Sequence, residues 1–308
     1  MEPILVTGAS GAVGSAVVER LRKRGLPVRA VVRRDDERAA GLRQRGADVV
    51  TGDLTIASDV MRVMRGCTRI YFGLSVASYY LEATVLNAAA AKELGGLEVF
   101  VNMSQMTVSQ MSLGSTTESS QQQQHFLAER VLSWSGLPVV YIRPTVFLQS
   151  FRLLTSDTVR RDGTIRLPFA EGRTSPVDVS DVADVIAAVL ADPTGHIGHV
   201  YELTGPKSMT MNELAAEYTT ALGRPIRYID MPYELWRQSV RALGFPEHVF
   251  EHLSTIARLH AQNRYDRHTD DVEEVAGHPA VRARDYVARH AAEFGATSTS
   301  SPSPAPVY

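Results

Sequence analysis

The sequence predicts an α/β fold, a doubly wound parallel sheet joined to a smaller, mostly helical C-terminal region. Two observations predict it. Short apolar runs alternate with longer amphipathic segments through the first half of the chain, and the runs are continuous, not alternating. Continuous runs fit strands buried on both faces, and strand–helix repetition closes into right-handed βαβ units.

The expected strands are residues 4–6, 28–32, 48–50, 69–72, 98–101 and 139–142, with helices over 12–24, 36–45, 57–65, 80–94 and 121–135. The pattern loosens after Pro144. Arg160-Arg161-Asp162-Gly163 reads as a turn and residues 165–169 as a strand or loop. Residues 177–190 read as a short entry and a helix with Ser180 at its N-cap, and 200–203 as a further strand. From Thr210 the chain is mostly helical, broken at Gly223-Arg224-Pro225 and Gly244-Phe245-Pro246. The expected organisation is a domain of residues 1–150 to which 177–205 return, and a smaller region of 151–176 and 206–295. The Ser/Pro-rich tail over 296–308 is expected to be disordered.

Composition narrows the function. The 308 residues are 44% hydrophobic and 21% charged, ordinary for a globular protein. A net charge of −2 argues against a direct nucleic-acid or anionic-membrane surface. The lysines are Lys23, Lys92 and Lys207 alone, which leaves few places to seat a catalytic one. Cys67 is the one cysteine, so no intrachain disulfide or cysteine-based metal site forms, as suits a reducing compartment. No apolar run approaches the roughly 18 residues of a membrane span, residues 182–191 being interrupted by Asp184. With no basic leader or cleavage signal, the expectation is a soluble, cytoplasmic protein.

The clearest motif follows the first strand: Thr7-Gly8-Ala9-Ser10-Gly11-Ala12-Val13-Gly14. Gly8 permits a tight turn, Gly11 lets the backbone approach a pyrophosphate, and Gly14 lets the next helix pack closely. The helix N-terminus then faces the phosphates. Lying between a strand and an amphipathic helix, the motif predicts a Rossmann-type dinucleotide site. NAD-selective sites usually place an acid at the end of the second strand, where this chain has Arg33-Arg34. A guanidinium binds a 2′-phosphate and an acid repels it, so NADP(H) is favoured over NAD(H). Two alternatives stand beside this: Asp35 or Asp36 turning back to a ribose, or both arginines forming a solvated strand end.

The Gly-x-x-Gly-x-x-Gly spacing resembles the extended and atypical short-chain dehydrogenase/reductase superfamily. Gly52-Asp53-Leu54 matches it too, and the resemblance implies an adenine contact at Asp53. Typical members carry a Tyr-x-x-x-Lys pair in the helix after strand five; no tyrosine here has a lysine four residues on. Placed by the run-out Ser135-Gly136-Leu137-Pro138, that helix puts Gln121 and His125 at the pair's positions. Glutamine cannot exchange a proton near neutral pH, and histidine can.

Arg143-Pro144-Thr145-Val146-Phe147, Pro176-Val177-Asp178-Val179-Ser180-Asp181-Val182-Ala183, Tyr201-Glu202-Leu203-Thr204-Gly205-Pro206 and Leu222-Gly223-Arg224-Pro225-Ile226 resemble the NmrA-like family, in a match running from about residue 3 to 294. That resemblance implies either an NAD(P)H-dependent reductase or a redox-sensing regulator that binds the dinucleotide without turnover. In related reductases a lysine acts where His125 stands. His125 therefore has three readings: proton donor to a substrate, ligand to the nicotinamide ribose, or half-buried helix residue without chemistry. Ser104 matches the superfamily's substrate-orienting serine, or satisfies backbone groups at a strand end. The resemblance also places Gly73-Leu74-Ser75 and Pro144-Thr145 beside the cofactor, all at carboxyl ends of strands.

No metal site is expected. His248, His252, His260, His268 and His278 lack a carboxylate or cysteine partner pattern. The leading expectation is an NADPH-dependent oxidoreductase passing hydride to a conjugated carbonyl or quinone-like acceptor, with the C-terminal region as substrate or partner region. The alternative is a non-catalytic NADP(H) sensor acting through protein partners. Sugar-nucleotide epimerisation is disfavoured by the missing tyrosine and lysine. The chain is expected to be a monomer or homodimer.

Overall fold

The continuous apolar runs become the inner strands of a parallel sheet. The computed structural model describes residues 2–295, so the tail from 296 lies outside the described residues. Its first half runs β1 (Ile4–Val6), α1 (Ala12–Lys23), β2 (Val28–Val32), α2 (Glu37–Gln44), β3 (Asp48–Thr51), α3 (Ala57–Met64), β4 (Arg69–Phe72), α4 (Tyr80–Leu94), β5 (Val99–Met103), α5 (Ser120–Trp134) and β6 (Val139–Ile142). A 3-10 turn at Met106–Gln110 precedes α5. The chain then makes α6 (Leu148–Asp162), β7 (Thr164–Leu167), β8 (Arg173–Thr174), α7 (Val179–Ala191), β9 (Val200–Tyr201), β10 (Met209–Thr210), α8 (Met211–Leu222) and β11 (Arg227–Asp230). It ends in α9 (Tyr233–Arg241), α10 (Glu247–Ala261), α11 (Asp271–Ala276) and α12 (Ala283–Arg289).

Among the described residues two units result: one up to Arg143 together with Val179–Glu202, the other Pro144–Asp178 together with residues 203–295. The first holds a seven-stranded sheet ordered β3-β2-β1-β4-β5-β6-β9, every pairing parallel. From β1 the chain winds outward to β3, returns to β4 on the other side of β1, and winds outward again. Right-handed crossovers then put α1 and α4 on opposite faces. Leu5, Phe72 and Phe100 are buried without exposed surface, and the Phe72 ring lies 5.9 Å from Tyr80 and 5.7 Å from Phe100. This is the Rossmann architecture, doubly wound and flanked by helices.

α7 closes the α1 side. Arg20 of α1 donates to Asp184 at 3.0 Å and to Ser180 at 2.6 Å, and Arg24 donates to the Ala187 carbonyl at 2.7 Å. Ser180 thus lies inside the first turn of α7 as an acceptor for Arg20, not at its N-cap: the helix begins at Val179. The second unit corrects the sequence reading further. A fifteen-residue helix, α6, occupies residues read as irregular, and β11 pairs parallel with β7 within a stretch expected to be mostly helical.

Candidate functional site

The strand order reverses between β1 and β4, and there open α/β sheets leave a crevice at their carboxyl edge. Thr7, just past β1, stitches this point together. Its hydroxyl donates to the Gly73 carbonyl at 3.0 Å and accepts from the Gly73 N–H at 2.9 Å. Gly8 follows at φ +56°, and a Cβ there would sit 2.5 Å from the Gly73 oxygen. A Cβ on Gly14 would sit 2.3 Å from the Gly8 oxygen, so the first turn of α1 packs directly on the loop that precedes it. Gly11 donates its N–H to the Gly8 carbonyl at 2.9 Å and caps α1, whose first turn carries no acidic side chain. Ser10, Ala12 and Val13 are half-buried around it and Ala9 is buried. A tight turn opening onto helix amides that no side chain caps suits a pyrophosphate.

At the end of β2 the two arginines differ. Arg33 donates Nη1 to the Tyr79 hydroxyl at 2.8 Å and Nη2 to Asp53 Oδ2 at 3.2 Å, with its guanidinium 5.4 Å from the Tyr79 ring centre. Arg34 is exposed and makes no ion pair among the described residues. Asp53 also accepts from the Thr55 N–H and hydroxyl; these bonds, and then Arg33, hold its carboxyl below the usual range. Leu54 beside it is buried. The following acids face away. Asp36 caps α2 through the Arg38 and Ala39 N–H groups, and Asp35 binds Arg43 through both oxygens, at 2.7 and 2.8 Å.

The third group lies where β5, β6 and α5 meet. Ser104 donates its hydroxyl to Glu129 Oε1 at 2.5 Å, and Arg143 binds the same carboxylate with two bonds, 2.9 and 2.5 Å. Glu129 is buried, and Ser104 spends its proton on that ion pair. α5 begins with a capping box, in which Ser119 and Gln122 bond each other's backbone N–H. Gln121 accepts from the Ala77 N–H at 3.0 Å and Gln124 from the Leu81 N–H at 3.2 Å. The glutamine run therefore ties the segment after β4, with half-buried Leu74 and exposed Ser75, to α5. Gln121 Nε2 lies 3.1 Å from His125 Nε2, and the His125 ring sits 3.8 Å from the Tyr80 ring, tilted by 42°.

Gly8 to Gly14, Arg33, Arg34, Asp53, Leu54, Gly73 to Ser75, Ser104 and His125 all fall in the first unit; Pro144 and Thr145 fall in the second, where Thr145 donates its N–H to the Leu203 carbonyl at 2.9 Å. Sequence reading missed Tyr79, Tyr80 and Glu129, which carry no local motif and meet their partners only through the fold. Tyr80 is no replacement for the missing tyrosine: burial, and then the Glu129 carboxylate, push its phenol well above its ordinary value. Among the described residues no group of three or more His, Cys, Asp or Glu is placed to hold a metal ion. His252 and His260 are buried, and burial pulls their imidazoles down to about 4 and about 3. No helix among the described residues is long and apolar enough to cross a membrane.

Comparison with known proteins adds the following. Residues 1–287 match the NmrA-like family. Over 291 residues the chain is 31% identical to the (4-alkanoyl-5-oxo-2,5-dihydrofuran-3-yl)methyl phosphate reductase of Streptomyces griseus, covering 94% of this chain and 99% of that one. It is 29% identical to the NAD(P)H azoreductase of Xenophilus azovorans, covering 95% and 99%. Among solved structures, an Escherichia coli NADPH-dependent quinone oxidoreductase in complex with NADPH superposes with a TM-score of 0.80 at 22% identity, covering 93% and 99%.

Proposed function

The chain belongs to the NmrA-like family, and from that premise we propose that it is an NADPH-dependent oxidoreductase acting on a conjugated carbonyl or quinone-like acceptor. One observation carries the cofactor choice. Beside a turn suited to a pyrophosphate, Arg33 is held in place by Tyr79 and Asp53, Arg34 is exposed, and the two acids nearest the strand end are bound to Arg43 and to α2. The relatives' names support the reaction class: an oxo-dihydrofuran, an azo compound and a quinone each present an unsaturated bond whose added electrons come to rest on a heteroatom.

The backbone of Thr7 to Gly14 holds the pyrophosphate, and Arg33 and Arg34 hold the 2′-phosphate. Gly73 to Ser75 line the cofactor. Asp53 keeps Arg33 aimed and Leu54 closes the wall behind it. When bound, the cofactor supplies a hydride. An acceptor of this class yields an oxyanion or amide anion that water protonates readily, so the reaction runs without a Tyr-x-x-x-Lys pair. Ser104, its proton given to Glu129, offers lone pairs only.

The test is NADPH oxidation by the purified protein across a panel of quinones, azo dyes and unsaturated lactones, with calorimetric NADPH binding alongside. Acceptor-dependent oxidation above the protein-free rate is expected. Tight binding without turnover across the panel would reject the enzyme and leave the NADP(H)-sensing regulator.

A further inference from the structure

Gln121 and His125 occupy the positions of the missing acid–base pair, and the chemistry of the two is tied together. Amide orientation follows here from donor logic. The Ala77 N–H can only donate, so the Gln121 atom facing it at 3.0 Å is the carbonyl oxygen. The Gln121 NH2 group then faces His125 Nε2 at 3.1 Å, and an NH2 group can only donate. His125 Nε2 must therefore present its lone pair, which leaves the proton of the neutral ring on Nδ1. An imidazolium would set two donors head to head where both side chains are buried.

We propose that Gln121 is a positioning residue that fixes His125 as a neutral imidazole protonated on Nδ1, so that the ring serves as a hydrogen-bond donor to an oxygen and not as a proton carrier or a cation. The inference goes beyond the reductase reading and rests on it only for its kinetic arm. Several ionisable groups stand on the elements that carry and pack against the ring. The Tyr80 phenol of α4 donates to the Met103 carbonyl at 2.6 Å, Glu82 of the same helix is exposed, and Glu129 one turn along α5 is closed by Ser104 and Arg143. Glu118 is buried just before the Ser119 cap, and the turn at Met106–Gln110 brings no charged side chain. The Tyr80 ring holds the imidazole plane from one side. His125 thereby departs from the lysine whose place it takes: it brings a directed N–H without a charge.

The experiment is a two-bond 1H–15N spectrum of the full chain labelled at histidine nitrogen, recorded from pH 6 to 8, with the His125 signals identified by their loss in His125→Asn. The expected His125 signature is a protonated Nδ1 and a bare Nε2, constant over the range. A proton on Nε2, or an imidazolium titrating between pH 6 and 8, overturns the proposal, and this needs no variant at position 121. Gln121→Glu, whose carboxylate only accepts, should move the proton to Nε2; Gln121→Leu should mix the two tautomers. An unchanged Nδ1 signature in both would show that Gln121 does not set it. The kinetic arm expects acceptor-dependent NADPH oxidation flat from pH 6 to 8 in the native chain, with an inflection appearing in Gln121→Glu. Absence of all turnover would reject the reductase reading and leave the spectral result standing.

Discussion

Arg33 shows how one side chain is aimed by residues far away in sequence. Tyr79, 46 positions on, and Asp53, 20 positions on, hold its two terminal nitrogens. Arg33→Ala is expected to weaken NADPH by about 1–3 kcal/mol and NADH far less, the scale of one lost charged hydrogen bond. Equal losses for both cofactors in calorimetry would remove the 2′-phosphate assignment. Tyr79→Phe keeps the ring and drops one bond, so a smaller shift in the same direction is expected. Gly14→Ala should lower the melting temperature and NADPH affinity together, because the added carbon would meet backbone at 2.3 Å and no flexible side chain can yield. The glycine turn and the arginine pair were legible as sequence features because their residues are adjacent in the chain. Tyr79 was not, since nothing near it in sequence marks it.

Among the elements, the five helices and six strands of the first half were legible because each alternates cleanly with its neighbour. α6 was not. Its residues 148–162 include Thr155, Thr158, Ser150 and Ser156, weak helix formers, and Phe147 at its N-cap brings no capping side chain. The β7–β11 pairing joins residues about sixty apart, as Thr164 with Arg227, and no periodicity reports a partner at that distance. α5 and the residue just after β6 share the buried ion pair. Arg143→Met removes both close bonds from the buried Glu129 carboxylate and leaves it only the half-exposed Arg130 at 3.8 Å, at an expected cost of up to about 3–5 kcal/mol in denaturant unfolding. Glu129→Leu combined with Arg143→Met should recover much of that loss; a double variant no better than the single one would show that packing, not the orphaned charge, is responsible.

For the molecule as a whole, acid is the weak side. Burial keeps His252 and His260 neutral when folded, with values of about 4 and about 3, against the ordinary 6.5. Between those values and 6.5 the unfolded chain binds more protons than the folded one, so stability is full above pH 6.5 and falls as pH drops below it. At pH 5 each histidine is expected to remove about 2 kcal/mol. His260 lies between the Phe169 and Tyr265 rings at 4.1 and 4.0 Å, both nearly parallel to it. His260→Phe should therefore retain the stacking and flatten the fall in melting temperature between pH 7 and 5. An unchanged slope would place the acid sensitivity elsewhere.

The bonds from Arg20 and Arg24 to α7 also set an order of events during synthesis. Ser180 leaves the ribosome 160 residues after Arg20, roughly 8 to 32 seconds later at about 5–20 residues per second. Throughout that interval the helix after the glycine turn has been made while its neighbour has not. A nascent chain stalled after β6 would hold every residue of the glycine turn and still lack the helix and edge strand that complete its sheet. Cofactor added to such stalled chains should find few binding sites, and the yield of competent turns should rise only after β9 emerges.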